Sequence, residues 1–191
     1  MVAAIKFTRS MVKLVEVHRP SIEPAPHQLG YVVGLTAEVV LIQRMEEGYV
    51  LGGYSAFAHE TVDELSEDVR HRDVLEASLR LKRQRPRIPR GIDVSSMRAA
   101  VTSANDRYDL VVLHRERLEP DMCDVGRLRL TTARTYVLDP LTPDAVWVDD
   151  RRRNRFADLT RVDFGNAYEQ TLAAVARSWG HPRPRRRGPA D

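Results

Sequence analysis

HRPSIEPAPHQLG, residues 18–30, returns 96 residues later as HRERLEPDMCDVG, residues 114–126. His18, Arg19, Glu23, Pro24 and Gly30 of the first stretch stand opposite His114, Arg115, Glu119, Pro120 and Gly126 of the second. Extended outward without gaps, residues 14–37 match residues 110–133 at nine of 24 positions, where average residue usage gives roughly one or two. Val17, Ile22 and Leu29 add similar pairs against Leu113, Leu118 and Val125. Self-similarity at a fixed offset is the mark of a duplicated structural unit.

Each copy opens on a β-rich run, VKLVEVHR (12–19) or YDLVVLHR (108–115), with apolar residues too crowded for a long amphipathic helix. Glu-Pro follows in both, and proline, which cannot donate to a ladder, marks a chain leaving its sheet. Gly30 and Gly126 open the next strands. GYVVGLTAEVVLIQRM (30–45) reads as two strands around a Leu-Thr-Ala-Glu turn, and VGRLRLTTARTYVLDPL (125–141) reads the same way. YVLGGYSAFA (49–58) and DAVWVDD (144–150) are the expected next strands. A turn at Thr61 or Asp158 leads to a last strand carrying Val62 and Leu65, or Leu159 and Val162.

A helix is expected to end each copy. In the first, Ser66, Glu67 and Asp68 supply an acidic start to a stripe through Val74, Leu75 and Leu79. In the second, Asn166 and Glu169 have capping-box spacing, and Tyr168, Leu172, Val175 and Trp179 form the expected buried face. Between the copies, Pro86, Pro89 and Gly91 predict a linker, followed by a helix capped near Asp93 or Ser95. The expected organisation is a first barrel with its helix over 1–83, a linker over 84–91, a second barrel with flanking helices over 92–179, and a disordered basic tail over 180–191.

Five short strands and a helix in this order resemble the Sm-like, more widely SH3-like, small β-barrel class. GYVVGLTAEVVLIQRM with GYSAFAHETVDEL, and GRLRLTTARTYVL with FADLTRVDFGNAYEQTL, look like a family of uncharacterised bacterial proteins with duplicated Sm-like barrels. The resemblance spans about residues 12–82 and 108–178. It implies a mainly β fold of tandem small barrels, and it brings in the RNA binding of Sm proteins. The stretches at the RNA-binding loops, LGGYSAFA (51–58) and WVDDRRRNR (147–155), depart from the family's patterns of Asp or His with Asn, or of Arg-Gly.

Of the chain's residues, 42% are apolar and 30% charged, which excludes disordered and fibrous classes. No apolar run approaches the roughly 18 residues of a membrane-spanning helix. The N-terminus lacks a secretory pattern, and a single cysteine, Cys123, forms no internal disulfide, so a cytoplasmic protein is expected. The formal charge of +3 resides in the tail, where Arg183, Arg185, Arg186 and Arg187 face Asp191 alone.

The duplicated His18, Arg19 and Glu23, with His114, Arg115 and Glu119, are candidate acid-base groups. A turn built twice needs its polar side chains twice, which favours a structural role. His27, His59, His71 and His181 lack metal-ligand spacing, and one cysteine builds no zinc cluster. No metal, cofactor, small-molecule substrate or catalytic residue is expected. Arg80 to Arg90, Arg151, Arg152, Arg153 and Arg155, and the tail arginines are candidate phosphate contacts, with Tyr54, Phe57, Trp147 and Phe156 as candidate stacking platforms. Partly open barrels leave edge strands that pair with other strands. The expected function is therefore a non-enzymatic interaction or assembly module, binding a protein partner or itself as a homodimer through edge strands. The alternative is an Sm-like RNA- or DNA-binding protein using the arginines.

Overall fold

The computed structural model describes residues 12–22, 28–150 and 152–181. Glu23, Pro24, His27, Arg151 and the tail arginines lie outside the described residues. The described chain is mainly β with three α-helices. The strands are β1 (Leu14–His18), β2 (Gln28–Leu35), β3 (Val39–Glu46), β4 (Val50–Ala58), β5 (Glu64–Ser66), β6 (Val111–His114), β7 (Cys123–Thr131), β8 (Thr135–Pro140), β9 (Arg153–Arg155) and β10 (Arg161–Phe164). They form one antiparallel sheet in the order β5-β1-β2-β3-β4-β10-β6-β7-β8-β9, open at both ends.

That order writes one pattern twice. Each copy's last strand lies beside its first, followed by its second, third and fourth, and β4 of the first copy joins β10 of the second. Details recur at the repeat offset. Pairing slips by one residue between Val32 and Gly34 in β2, and between Leu128 and Leu130 in β7. The Thr36 hydroxyl accepts the Glu38 and Val39 amides, as the Thr132 hydroxyl accepts those of Arg134 and Thr135. Both are side-chain turns of the kind threonine favours. A short 3-10 turn, His59–Thr61 or Phe156–Asp158, precedes each last strand. Gly30 and Gly126 lie against the Gln43 and Asp139 carbonyls, where a Cβ would collide with backbone.

The run Val39 to Ile42 is apolar throughout because both faces of β3 are covered. Val39 and Leu41 join the larger core, and Val40 and Ile42 a second one with Val15, Val17, Val32 and Phe57. The larger core runs through both copies. α1 (Arg72–Leu81) contributes Leu75 and Leu79, and α2 (Met97–Arg107) contributes Met97, Ala100, Val101 and Ala104. A third cluster gathers Leu110, Leu141 and Ala145 under α3 (Ala167–Ser178).

Three local expectations are corrected. The fourth strand of the second copy is Arg153–Arg155, whereas 144–150 contributes only a bridge from Trp147 to Leu141. α1 starts at Arg72, because Ser66 is used in β5 opposite Glu16. α3 keeps the Asn166–Glu169 capping box but buries Glu169, Leu172, Ala173 and Ala176, leaving Tyr168 53% and Trp179 62% exposed. Small alanines let the helix approach Leu141 and Ala145 closely, which bulky side chains would prevent.

The linker is docked on the sheet. The Arg87 amide donates to Gln43 Oε1 at 2.8 Å, the Leu51 amide to Gln84 Oε1 at 2.9 Å, and the Tyr54 hydroxyl to the Arg87 carbonyl at 3.2 Å. The inter-copy helix is capped by Ser96, whose hydroxyl accepts the Ala99 amide.

Candidate functional site

Three features combine chemistry with position: the seam where β4 meets β10, a cleft beside it, and the two ends of the sheet. At the seam Phe57, Ala56, Ser55 and Tyr54 pair with Arg161, Val162, Asp163 and Phe164. The Tyr54 ring stacks on Phe164 at 5.5 Å, and Gly53 donates its amide to Asn166 Oδ1 at 3.0 Å.

A buried ion chain crosses this seam. Arg19, in the first copy, donates to Glu116 of the second through both terminal nitrogens, at 2.5 and 3.3 Å. Its Nε donates to the Thr61 carbonyl, and its guanidinium lies 5.0 Å from the Phe57 ring. Arg161 sits 3.3 Å from Glu116 and 3.5 Å from Asp163, and Asp163 also meets His114 at 3.1 Å and Arg44 at 3.6 Å. Burial would raise the Asp163 carboxyl, but the His114 hydrogen bond and the Arg161, His114 and Arg44 charges hold it at about 2. Burial likewise opposes ionisation of Glu116, and the Arg19 hydrogen bond with the Arg161 and Arg19 charges wins, leaving it below the usual range.

The cleft, about 810 Å³, is walled by Arg44, His114, Cys123, Asp163, Tyr168 and Glu169 among others. Cys123 pairs with His114 across the β6–β7 ladder, so thiol, imidazole and carboxylate lie together. The arrangement does not activate the thiol. His114 Nε2 lies 3.1 Å from an Asp163 carboxylate oxygen, and Arg161 Nη2 stands 3.1 Å from Nδ1 and 3.2 Å from Nε2, so the imidazole is held between a carboxylate and a guanidinium. Packing, and after it the Asp163 charge, pushes the Cys123 thiol up. Burial also pushes Glu169 up, against the pull of its bonds to Asn166. Among the described residues no group of three or more His, Cys, Asp or Glu side chains is placed to hold a metal ion.

The duplicated signature diverges in its contacts. His18 lies 3.6 Å from Glu16, whereas His114 belongs to the seam. Arg19 spans the two copies, while Arg115 stays in its own, bonded to Asn154, Glu119 and Asp124. Glu119 is therefore an ion-pair partner, and Pro120 sits in the loop before β7. The expected stacking platforms are occupied. Phe57 and Phe156 are buried, Tyr54 stacks on Phe164, and Trp147 packs into the third cluster.

The sheet ends are oppositely charged. β5 has Glu64 within it and Asp63, Glu67 and Asp68 beside it, all exposed. Glu67 pairs with Lys13 at 2.5 Å, and Asp63 accepts from the Ser21 amide and hydroxyl. β9 is Arg-Asn-Arg, preceded by Arg152. Arg152 is tied to Asp150 at 2.7 Å, while Arg153 and Arg155 are exposed and make no ion pair among the described residues. Sequence reading placed these arginines before the last strand and missed that two of them form an edge. Comparison with protein-family models, curated proteins and solved structures gives no match.

Proposed function

We propose that the chain is a non-enzymatic interaction or assembly module of the reducing cytoplasm, built from two Sm-like small-barrel units fused edge to edge. The repeated strand order, bulge, threonine turn and glycine approach support the two-unit reading. The observation that carries the function is the sheet's two end strands, β5 and β9, each paired on one side only among the described residues. An unpaired edge presents backbone donors and acceptors to an incoming strand. The occupied imidazole and unactivated thiol give no support to catalysis.

Co-purification of the untagged protein tests this. The expected peak holds a bound polypeptide or a second copy, lost on Leu65→Pro or Arg153→Pro, with the 260/280 nm absorbance ratio of bare protein. A peak unchanged by both edge blocks overturns the reading.

Arg153 and Arg155, exposed and without an ion pair among the described residues, favour a second reading, binding of RNA or DNA together with Arg151, Arg152 and the tail. Its signature is nucleic acid in the peak and salt-sensitive affinity. Four tail contacts to a single strand give a log–log salt slope near about −3.

A further inference from the structure

We infer that the strand partner is a second copy of this chain, docked head to tail, with β9 of one copy laid on β5 of the next. This rests on the edge-strand function proposed above and names its occupant. The template is the molecule's own seam. Asn154 occupies in the second copy the ladder position of Phe57 in the first, since Tyr136 pairs with Asn154 as Val40 pairs with Phe57. Glu64 occupies the position of Arg161, opposite His18 as Arg161 is opposite His114. Transferring the β4–β10 register therefore sets Asn154 against Glu64, Arg153 against Leu65, Arg152 against Ser66 and Arg155 against Asp63.

Charge selects this pairing over the others. A β5–β5 contact would align Asp63, Glu64, Glu67 and Asp68 with themselves, and a β9–β9 contact would align Arg152, Arg153 and Arg155. Like charges directly across a ladder are destabilising and opposite charges favourable. Acidic edge on basic edge is thus the one homotypic combination in which the fields agree, and it is heterologous by construction.

The intermolecular junction is also weaker than the internal seam. Arg19 meets Glu116 inside the chain, but at a junction between chains Arg115 would meet Pro20, the counterpart of Glu116, and no bidentate pair forms. Phe57 and Ala56 of the seam are replaced by Asn154 and Arg153, so less apolar surface is covered. Association is then reversible and carried by exposed charges, which salt screens.

The test is sedimentation equilibrium of the full chain at about 50 mM and about 500 mM salt, which moves the screening length from above 10 Å to well below it. The wild type is expected to exceed monomer mass at low salt and return to monomer at high salt. Glu64→Arg/Glu67→Arg and Arg153→Glu/Arg155→Glu, each alone, are expected to stay monomeric at low salt, whereas their equimolar mixture associates, because each then offers the edge the other needs. Rescue by mixing cannot come from misfolded variants. A wild type that is monomeric at low salt, or an oligomer indifferent to the single reversals, overturns the self-partner. A labelled acidic peptide of alternating valine and glutamate separates the two levels. If it binds wild type and not Arg153→Pro while the chain stays monomeric, the edge function stands and only the self-partner falls. If it fails as well, both fall.

Discussion

Replacing Glu116 by glutamine removes the negative charge on which two guanidiniums converge. The Arg19 and Glu116 side chains are 3% and 7% exposed, so water does not compensate the loss. Arg19 would keep the Thr61 carbonyl and the Phe57 face, and Arg161 would keep Asp163, but the bidentate charge-assisted contact is gone. Breaking a buried pair by removing one partner costs about 3–5 kcal/mol, and for a domain of this size each kcal/mol lowers Tm by roughly 2–4 °C. The expected cost is about 3 kcal/mol, read as a drop in midpoint at unchanged slope in urea unfolding and as a Tm lower by roughly 6–12 °C. The double variant Arg19→Met/Glu116→Leu should recover most of the loss, since apolar side chains of similar volume replace buried pairs at little cost. A Glu116→Gln cost below about 1 kcal/mol, or a double variant no better than the single, would refute the ion chain as the seam's fastening.

Acid should loosen the same seam. Asp163 titrates at about 2 in the fold against an ordinary 3.8, so its stabilising effect is complete above pH 4 and lost as pH falls from about 4 to about 2, an amount of about 2 kcal/mol. Unfolding free energy measured across that window should flatten in Asp163→Asn. Gly126→Ala and Gly30→Ala each drive a Cβ into a neighbouring carbonyl and should each cost about 1–3 kcal/mol in chemical denaturation. Cys123 should react with a disulfide reagent at neutral pH more slowly than a free thiol, the rate rising at higher pH than in a model peptide; faster reaction would contradict its raised pKa.

The repeat was legible because the strands of this antiparallel sheet carry their pattern locally. Val39 to Ile42, the two threonine turns and the Gly30 and Gly126 approaches all depend on near neighbours in the ladder. β9 was not legible, since Arg153, Asn154 and Arg155 have neither alternation nor β-branched residues; they are a strand because β8 offers them a ladder. α3 misled because Tyr168 and Trp179 fall on an apolar stripe, while the close approach to the sheet selects Ala173 and Ala176. Arg19 was visible as a repeated residue, but its partner Glu116 is 97 positions away and aligns with Pro20, so duplication hid the contact that joins the copies.

The most direct measurement is the set of interstrand nuclear Overhauser contacts across the seam in the full chain. Two units joined through β4 and β10 require contacts linking Phe57 with Arg161 and Ala56 with Val162, together with Val162 to Leu113 on the other side. Finding β10 bound to β6 alone, with β4 facing solvent or another strand, would contradict the account.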